Sequence, residues 1–280
     1  MRALADDAGL RIRLLGGFEV TIKDHPVAAD AWRLRKAKTL VKLLALARGH
    51  RLHREALVAV LWPDRDEVSA TNNLHQALYV ARRVLAGTPD AVCSLRDDVV
   101  LLSEGTMPWL DIEAFDTACR RARQTRNPQD YRAAAELYRG DLLPEDRFEE
   151  WTEGPREALR ERHLGLLVEY AEVLSDRGEH AQVVDIAGAV TAADPFHERA
   201  HRTLMTALRR ADAGTRPWRC STDFARRWPR STPPTLSRQP GGSTGTFSLT
   251  VSLSRRRRRW AKSGRRDELP RIRHLVRGRA

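Results

Sequence analysis

"SATNNLHQALYVARRVL", residues 69–85, decides how the first part of this chain is read. At 3.6 residues per turn, Leu74, Ala77, Leu78, Ala81 and Leu85 share one face of a helix. Asn72, His75, Gln76, Tyr79 and Arg83 fall on the other. Helix faces that need only solubility favour Glu/Lys pairs, whereas amides and Arg carry the donor and acceptor geometry that reads base edges. The pattern by itself leaves a plain solvated face and a base-reading face both open.

The flanks narrow the choice. Upstream, Leu10, Ile12 and Leu14, then Phe18, Val20 and Ile22, alternate with polar residues, and Gly16-Gly17 and Lys23–Pro26 supply turns. That is the period of two or three short antiparallel strands. From Arg35 the period becomes helical, with Leu40, Val41, Leu43, Leu44 and Ala47 on one face and Gly49 as a stop. "HREALVAVLW" predicts a second short helix ending at Trp62-Pro63, and Ser69 is the expected N-cap of the third. "AVCSL", "RDD" and "VVLLS" then predict a hairpin with a tight polar turn. The order is strands, three helices, hairpin.

Beyond Pro108 the pattern is helical, with helices expected over 111–125, 128–139, 148–176 (interrupted near Gly154-Pro155), 179–192 and 197–211. Gly178 and Gly214 stand 36 residues apart, each after a helix, with Asp194-Pro195 between them. A period in the mid-thirties with two helices per unit is tetratricopeptide-like. After Gly214 the sequence turns to Pro, Ser, Thr and Arg without sustained period, a composition expected to be disordered. Trp32, Trp62, Trp109 and Trp151 sit at element ends and are expected to pack in the core or at an interface.

Charge follows the same divisions. The net charge of +12 comes from residues 214–280, which carry 18 basic and 3 acidic residues. Residues 10–102 net +5 and residues 103–213 net −7. A mildly basic module followed by an acidic one suits a first half that touches a polyanion. The run Arg255–Arg259 reads equally as a phosphate-binding arm or as the product of a shifted reading frame. Cys93, Cys119 and Cys220 form no C-x-x-C, which points to a reducing cytoplasm. No apolar run approaches the roughly 18 residues of a membrane span.

Catalytic and cofactor motifs fare poorly. "HERAH", residues 197–201, fits H-E-x-x-H, in which His197 and His201 would bind zinc and Glu198 act as base. A third protein ligand is wanting, since only Asp212 is near, so a satisfied or exposed His pair is the better account. No phosphate-binding G-x-x-x-x-G-K-[ST] or G-x-S-x-G is present. No enzyme, metal or cofactor is expected.

With the elements in this order the chain resembles a known family. "LRIRLLGGFEV", "RKAKTLVKLLALARGHRLHREALVAVLWPD", "ATNNLHQALYVARRVL" and the hairpin resemble the OmpR-type winged helix of SARP regulators (Streptomyces antibiotic regulatory proteins). "WLDIEAFDTACRRAR", "AAAELYRGDLLPEDRFEEW" and "ADPFHERAHRTLMTALRRADAG" are similar to the bacterial transcriptional activator domain that follows it. The resemblance implies an α+β winged helix over 10–104, an all-α tetratricopeptide-like domain over 108–213 and a disordered basic tail over 214–280. It implies a cytoplasmic activator that binds double-stranded DNA at direct repeats, self-associates there and recruits RNA polymerase, for secondary-metabolite genes. The third helix would enter the major groove, with Asn72 and Gln76 on bases beside His75 and Tyr79. Thr71, Arg82, Arg83, Lys36 and Lys38 would lie nearer phosphates, and Arg96 would probe from the wing.

Two expectations qualify this. SARP regulators continue past the position of Gly214 with a further helix pair. Read one base out, codons for Pro217–Thr222 can encode Ala-Leu-Ala-Leu-Gln-His, so a frameshift accounts for the departure. The competing function is a helical-repeat adaptor whose winged helix binds protein, and substitution of Asn72 and Arg83 separates the two.

Overall fold

The computed structural model describes residues 9–88 and 92–212, all within one compact unit, Met1–Ser231. The tail, with Cys220, Arg255–Arg259 and the proposed frame change, lies outside the described residues.

The chain opens as a meander, β1 (Leu10–Arg13), β2 (Glu19–Ile22) and β3 (His25–Pro26). Leu10 pairs with Ile22 and Ile12 with Val20 in the antiparallel register, so Leu10, Ile12 and Val20 all point into the core. A later two-residue strand, β7 (Trp109–Leu110), joins β1 in parallel and completes the order β3-β2-β1-β7. Arg11 and Arg13 flank the Trp109 ring at 5.3 and 5.9 Å.

Three helices follow. Helix α1 (Arg35–Leu46) buries Leu40, Val41 and Leu44, and the left-handed Gly49 (φ 66°) sits in the turn beyond it. Between it and α2 (Arg54–Leu61) runs β4 (Arg51–His53), a strand too short to leave a period in the sequence. Helix α3 (Glu67–Val84) buries Ala70, Leu74, Ala77, Leu78 and Ala81 against α1, as its spacing predicts. The hairpin of β5 (Val92–Arg96) and β6 (Val99–Ser103) pairs with β4 in the order β4-β6-β5. Asp97 and Asp98, both at positive φ, turn it in the manner that matches strand twist. Two sheets around three helices, with a terminal hairpin beside α3, make a winged helix.

Strand β7 runs directly into the helical part: α4 (Asp111–Thr125), α5 (Pro128–Leu137), α6 (Glu150–Asp176), α7 (His180–Ala193) and α8 (Glu198–Asp212). Each helix packs on its neighbours in sequence, the tetratricopeptide-like arrangement. Helix α6 runs unbroken through Gly154-Pro155, where an interruption was expected. Pro155 falls in the second turn, where it removes one backbone bond and crowds the Trp151 carbonyl without ending the helix. Gly178 (φ 77°) ends α6, its N–H bonding Ser175 O at 3.1 Å. Tyr138 and His163 stack in the core with Phe115 tilted against both, and burial pushes the His163 imidazole down to about 3. Trp32, Trp62 and Trp151 pack against the core. The thiols of Cys93 and Cys119 are free, and burial pushes both up to about 12. No helix among the described residues is long and apolar enough to cross a membrane.

Candidate nucleic-acid interface

Helix α3 starts two residues before Ser69, because Asp66 caps it instead. Asp66 Oδ1 accepts the Ser69 N–H at 2.9 Å, and that bond holds the Asp66 carboxyl below its ordinary value. A carboxylate at this position also meets the positive end of the helix dipole. The earlier start brings Val68 onto the helix, four residues ahead of Asn72. Val68 is 72% exposed on the same face as Asn72, a residue that the Ser69 boundary hid.

Asn72, His75, Gln76, Tyr79 and Arg83 all stand exposed along α3, with Tyr79 at 62%. They sit opposite the buried Leu74, Ala77, Leu78 and Ala81, so the stripe is held on a packed helix. Thr71 is half-buried at the stripe's edge. Arg82 reaches sideways, its Nε donating to Cys93 O at 3.1 Å, and so ties the end of α3 to the hairpin. Lys36 and Lys38 lie half-buried in the first turn of α1, with Lys38 Nζ 5.3 Å from the Phe18 ring centre.

The wing differs from the simple picture of a free arginine at its tip. Its apex is Asp97-Asp98. Arg96 is exposed beside it and donates to Glu104 Oε2 at 2.6 Å. Arg54, at the start of α2, bonds the turn twice, through its N–H to Asp98 O at 2.7 Å and its Nε to Asp98 Oδ1 at 2.9 Å. Arg54 therefore braces the wing, a role that no local pattern announces.

The least expected geometry joins the winged helix to the helical part. Both carboxylate oxygens of buried Asp111 accept the Leu14 N–H, and Oδ2 also takes that of Leu15 at 2.8 Å. Burial raises this carboxyl above its ordinary range, while the Leu15 and Leu14 amides pull against it. Gly16 N–H bonds Asp141 O, and Leu143 N–H bonds Leu14 O. Lys42, only 2% exposed, donates to Glu145 Oε1 at 2.8 Å and to Asp146 Oδ2, with its Nζ 5.0 Å from the Phe18 ring centre. Burial pushes Glu145 up, but the Lys42 ammonium and the local backbone together hold its carboxyl below its usual value. His50 Nε2 meets Glu113 Oε1 at 3.0 Å.

At the H-E-x-x-H segment the two imidazoles have separate duties. His197 lies before α8, and its Nδ1 accepts the Ala200 N–H at 3.2 Å. His201 Nε2 lies 2.8 Å from Pro195 O, as a donor to that carbonyl. Among the described residues no three His, Cys, Asp or Glu side chains group as a metal site.

Comparison with known proteins agrees with this architecture. Residues 110–215 match the bacterial transcriptional activator domain. The structure is similar to one solved for Mycobacterium tuberculosis EmbR in complex with a low-affinity phosphopeptide, with TM-score 0.63 and 22% identity. The match covers 78% of this chain and 57% of that one. The likeness is one of fold. No curated protein sequence matches the chain.

Proposed function

We propose that this chain, a transcriptional regulator of the SARP type with a bacterial transcriptional activator domain, binds specific DNA by laying α3 in the major groove. The observation that carries the proposal is the exposed run Asn72, His75, Gln76, Tyr79 and Arg83 on a helix whose other face is locked in the core. Asn72 and Gln76 present amides suited to bidentate contact with adenine, and Arg83 suits a phosphate. Lys36, Lys38, Thr71 and Arg82 supply the positioning contacts. Arg96 enters them only by exchanging Glu104 for a phosphate. Protomers at direct repeats would place several activator domains upstream of a promoter and recruit RNA polymerase, for secondary-metabolite genes.

The test is fluorescence anisotropy of the full chain on duplexes selected from a random pool, against unselected duplexes, across a salt series. Asn72→Ala should lower the preference for selected DNA by about ten-fold or more. Arg83→Ala should weaken both alike and flatten the salt slope by roughly one phosphate contact. Equal affinity for all duplexes, unchanged by either substitution, would refute the reading and favour the protein-binding adaptor.

A further inference from the structure

The segment between α5 and α6 combines two properties that seldom coincide. It is an irregular stretch held by many side-chain hydrogen bonds, and it presents the most exposed large apolar side chain among the described residues. Arg156, on α6, threads it. Its Nε donates to Leu142 O at 2.9 Å, Nη1 to Arg147 O at 3.2 Å, and Nη2 to Leu143 O at 3.1 Å. Thr152 Oγ1 lies 2.9 Å from Asp146 O and 2.8 Å from Glu149 O, closing the segment onto the first turn of α6. From the winged helix, Lys42 holds Glu145 and Asp146, and Arg35 meets Glu149 at 3.5 Å. In the middle of this frame Phe148 is 99% exposed.

An aromatic ring without intramolecular cover is poorly placed for stability but well placed for capture. Its backbone is already fixed, so a partner that encloses the ring meets little ordering cost. Aromatic anchors of this kind dominate protein interfaces, seated in pockets that exclude water. The surroundings select the partner's chemistry. Glu145, Glu149, Glu150 and Glu153 flank Phe148, with Arg147 as the only basic residue of the segment Pro144–Glu153. Lys42 and Arg35 already engage Glu145 and Glu149, so it is the exposed Glu150 and Glu153 that face a partner, and their carboxylates repel phosphate and attract lysine or arginine.

We propose that Phe148 is the anchor through which this regulator, once on DNA, grips a protein of the transcription machinery, in an apolar pocket rimmed by Lys or Arg. The inference rests on the reading of the chain as a DNA-binding activator. It adds where activation is exerted: beside α1, at the junction of the two modules.

The test uses the full chain, a selected binding site placed upstream of a promoter, and purified RNA polymerase holoenzyme in run-off transcription. DNA affinity and sedimentation are measured on the same proteins. Phe148→Ala should keep DNA affinity within about two-fold and lower activated transcription by about 30-fold, the loss expected of an interface anchor. Phe148→Trp, which keeps an aromatic, should retain much of it. Undiminished activation by Phe148→Ala overturns the proposal, as does a loss of DNA affinity in step with activation. A substitution that instead breaks up a self-associated species makes the occupant a second copy of the chain and also overturns it. If wild-type protein neither binds selectively nor activates, the activator reading itself falls and this inference with it.

Discussion

Lys42→Met removes the buried positive charge from the junction and leaves Glu145 and Asp146 without their shared partner. The lysine side chain is 3% exposed, Asp146 9% and Glu145 36%. Breaking a buried pair by deleting one partner costs about 3–5 kcal/mol, because the survivor's charge is stranded. Glu145 can turn to water, so most of the cost falls on Asp146. Methionine also restores much of the packing that the lysine methylenes make beside Phe18. The lower end, about 3 kcal/mol, is therefore the expected loss. It is measurable at neutral pH by urea unfolding of the full chain, followed by circular dichroism and by tryptophan fluorescence. Trp32, one of seven tryptophans, sits edge-on to Phe18 with ring centres 5.7 Å apart and reports from beside the junction. The acid limb offers a second readout. Glu145 is held below its ordinary value, so its share of the stability is present above the unfolded carboxylate range and is lost as pH falls through the folded value. That share should shrink in Lys42→Met, since the backbone bond at Glu145 remains. Neutralising the whole cluster, with Lys42→Met, Glu145→Gln and Asp146→Asn together, should recover most of the loss. A single Lys42→Met protein within about 0.5 kcal/mol of wild type would refute the claim that this pair holds the modules together.

Two further outcomes follow from the geometry. His163 is buried on Tyr138, ring centres 4.0 Å apart, and titrates near 3 when folded. Its stabilising contribution is therefore complete above the unfolded value of about 6.5 and drains away as pH falls toward 3, by up to roughly 4–5 kcal/mol. His163→Phe should flatten the dependence of Tm on pH across that interval, and an unchanged slope would contradict the assignment. Arg54→Ala should loosen the wing and weaken specific DNA binding by up to about five-fold, the range of a partly exposed pair. Asp98→Asn should do the same and the double variant no more, in anisotropy titrations; additive losses would mean that Arg54 contacts DNA itself.

Elements with an uninterrupted period were legible from the sequence, which is why α1, α3, α4 and the β5–β6 hairpin stand where the apolar spacing puts them. Short strands were not: β4 and β7 have three and two residues, too few for alternation to show. The start of α3 slipped because Asp66 and Ser69 are both good capping residues three apart, and only the bond between them shows which serves. The stripe on α3 was visible because it is local. The junction was not, because its partners lie about a hundred residues apart and each looks like an ordinary surface charge. One signal was present and passed over. Lys42 interrupts "LVKLLAL", and a lysine inside a buried apolar run must find a counter-charge or sit neutral.

The chemistry of that junction bears on how the molecule works. Apolar side chains of matching volume would hold two modules together about as firmly as a buried lysine between two carboxylates. What they would not do is fix a register, since apolar surfaces slide with little penalty whereas a charge displaced from its partners meets a steep one. Asp111 adds the same constraint from the other side, its carboxylate accepting two successive backbone amides at the end of β1. The result is that α1, and α3 packed on it, hold a set position relative to the segment that carries Phe148. If α3 seats in a groove, the direction in which Phe148 faces is decided by the DNA. Activation should then depend on helical phase: moving the binding site by half a turn relative to the promoter should abolish it, and by a full turn should restore it.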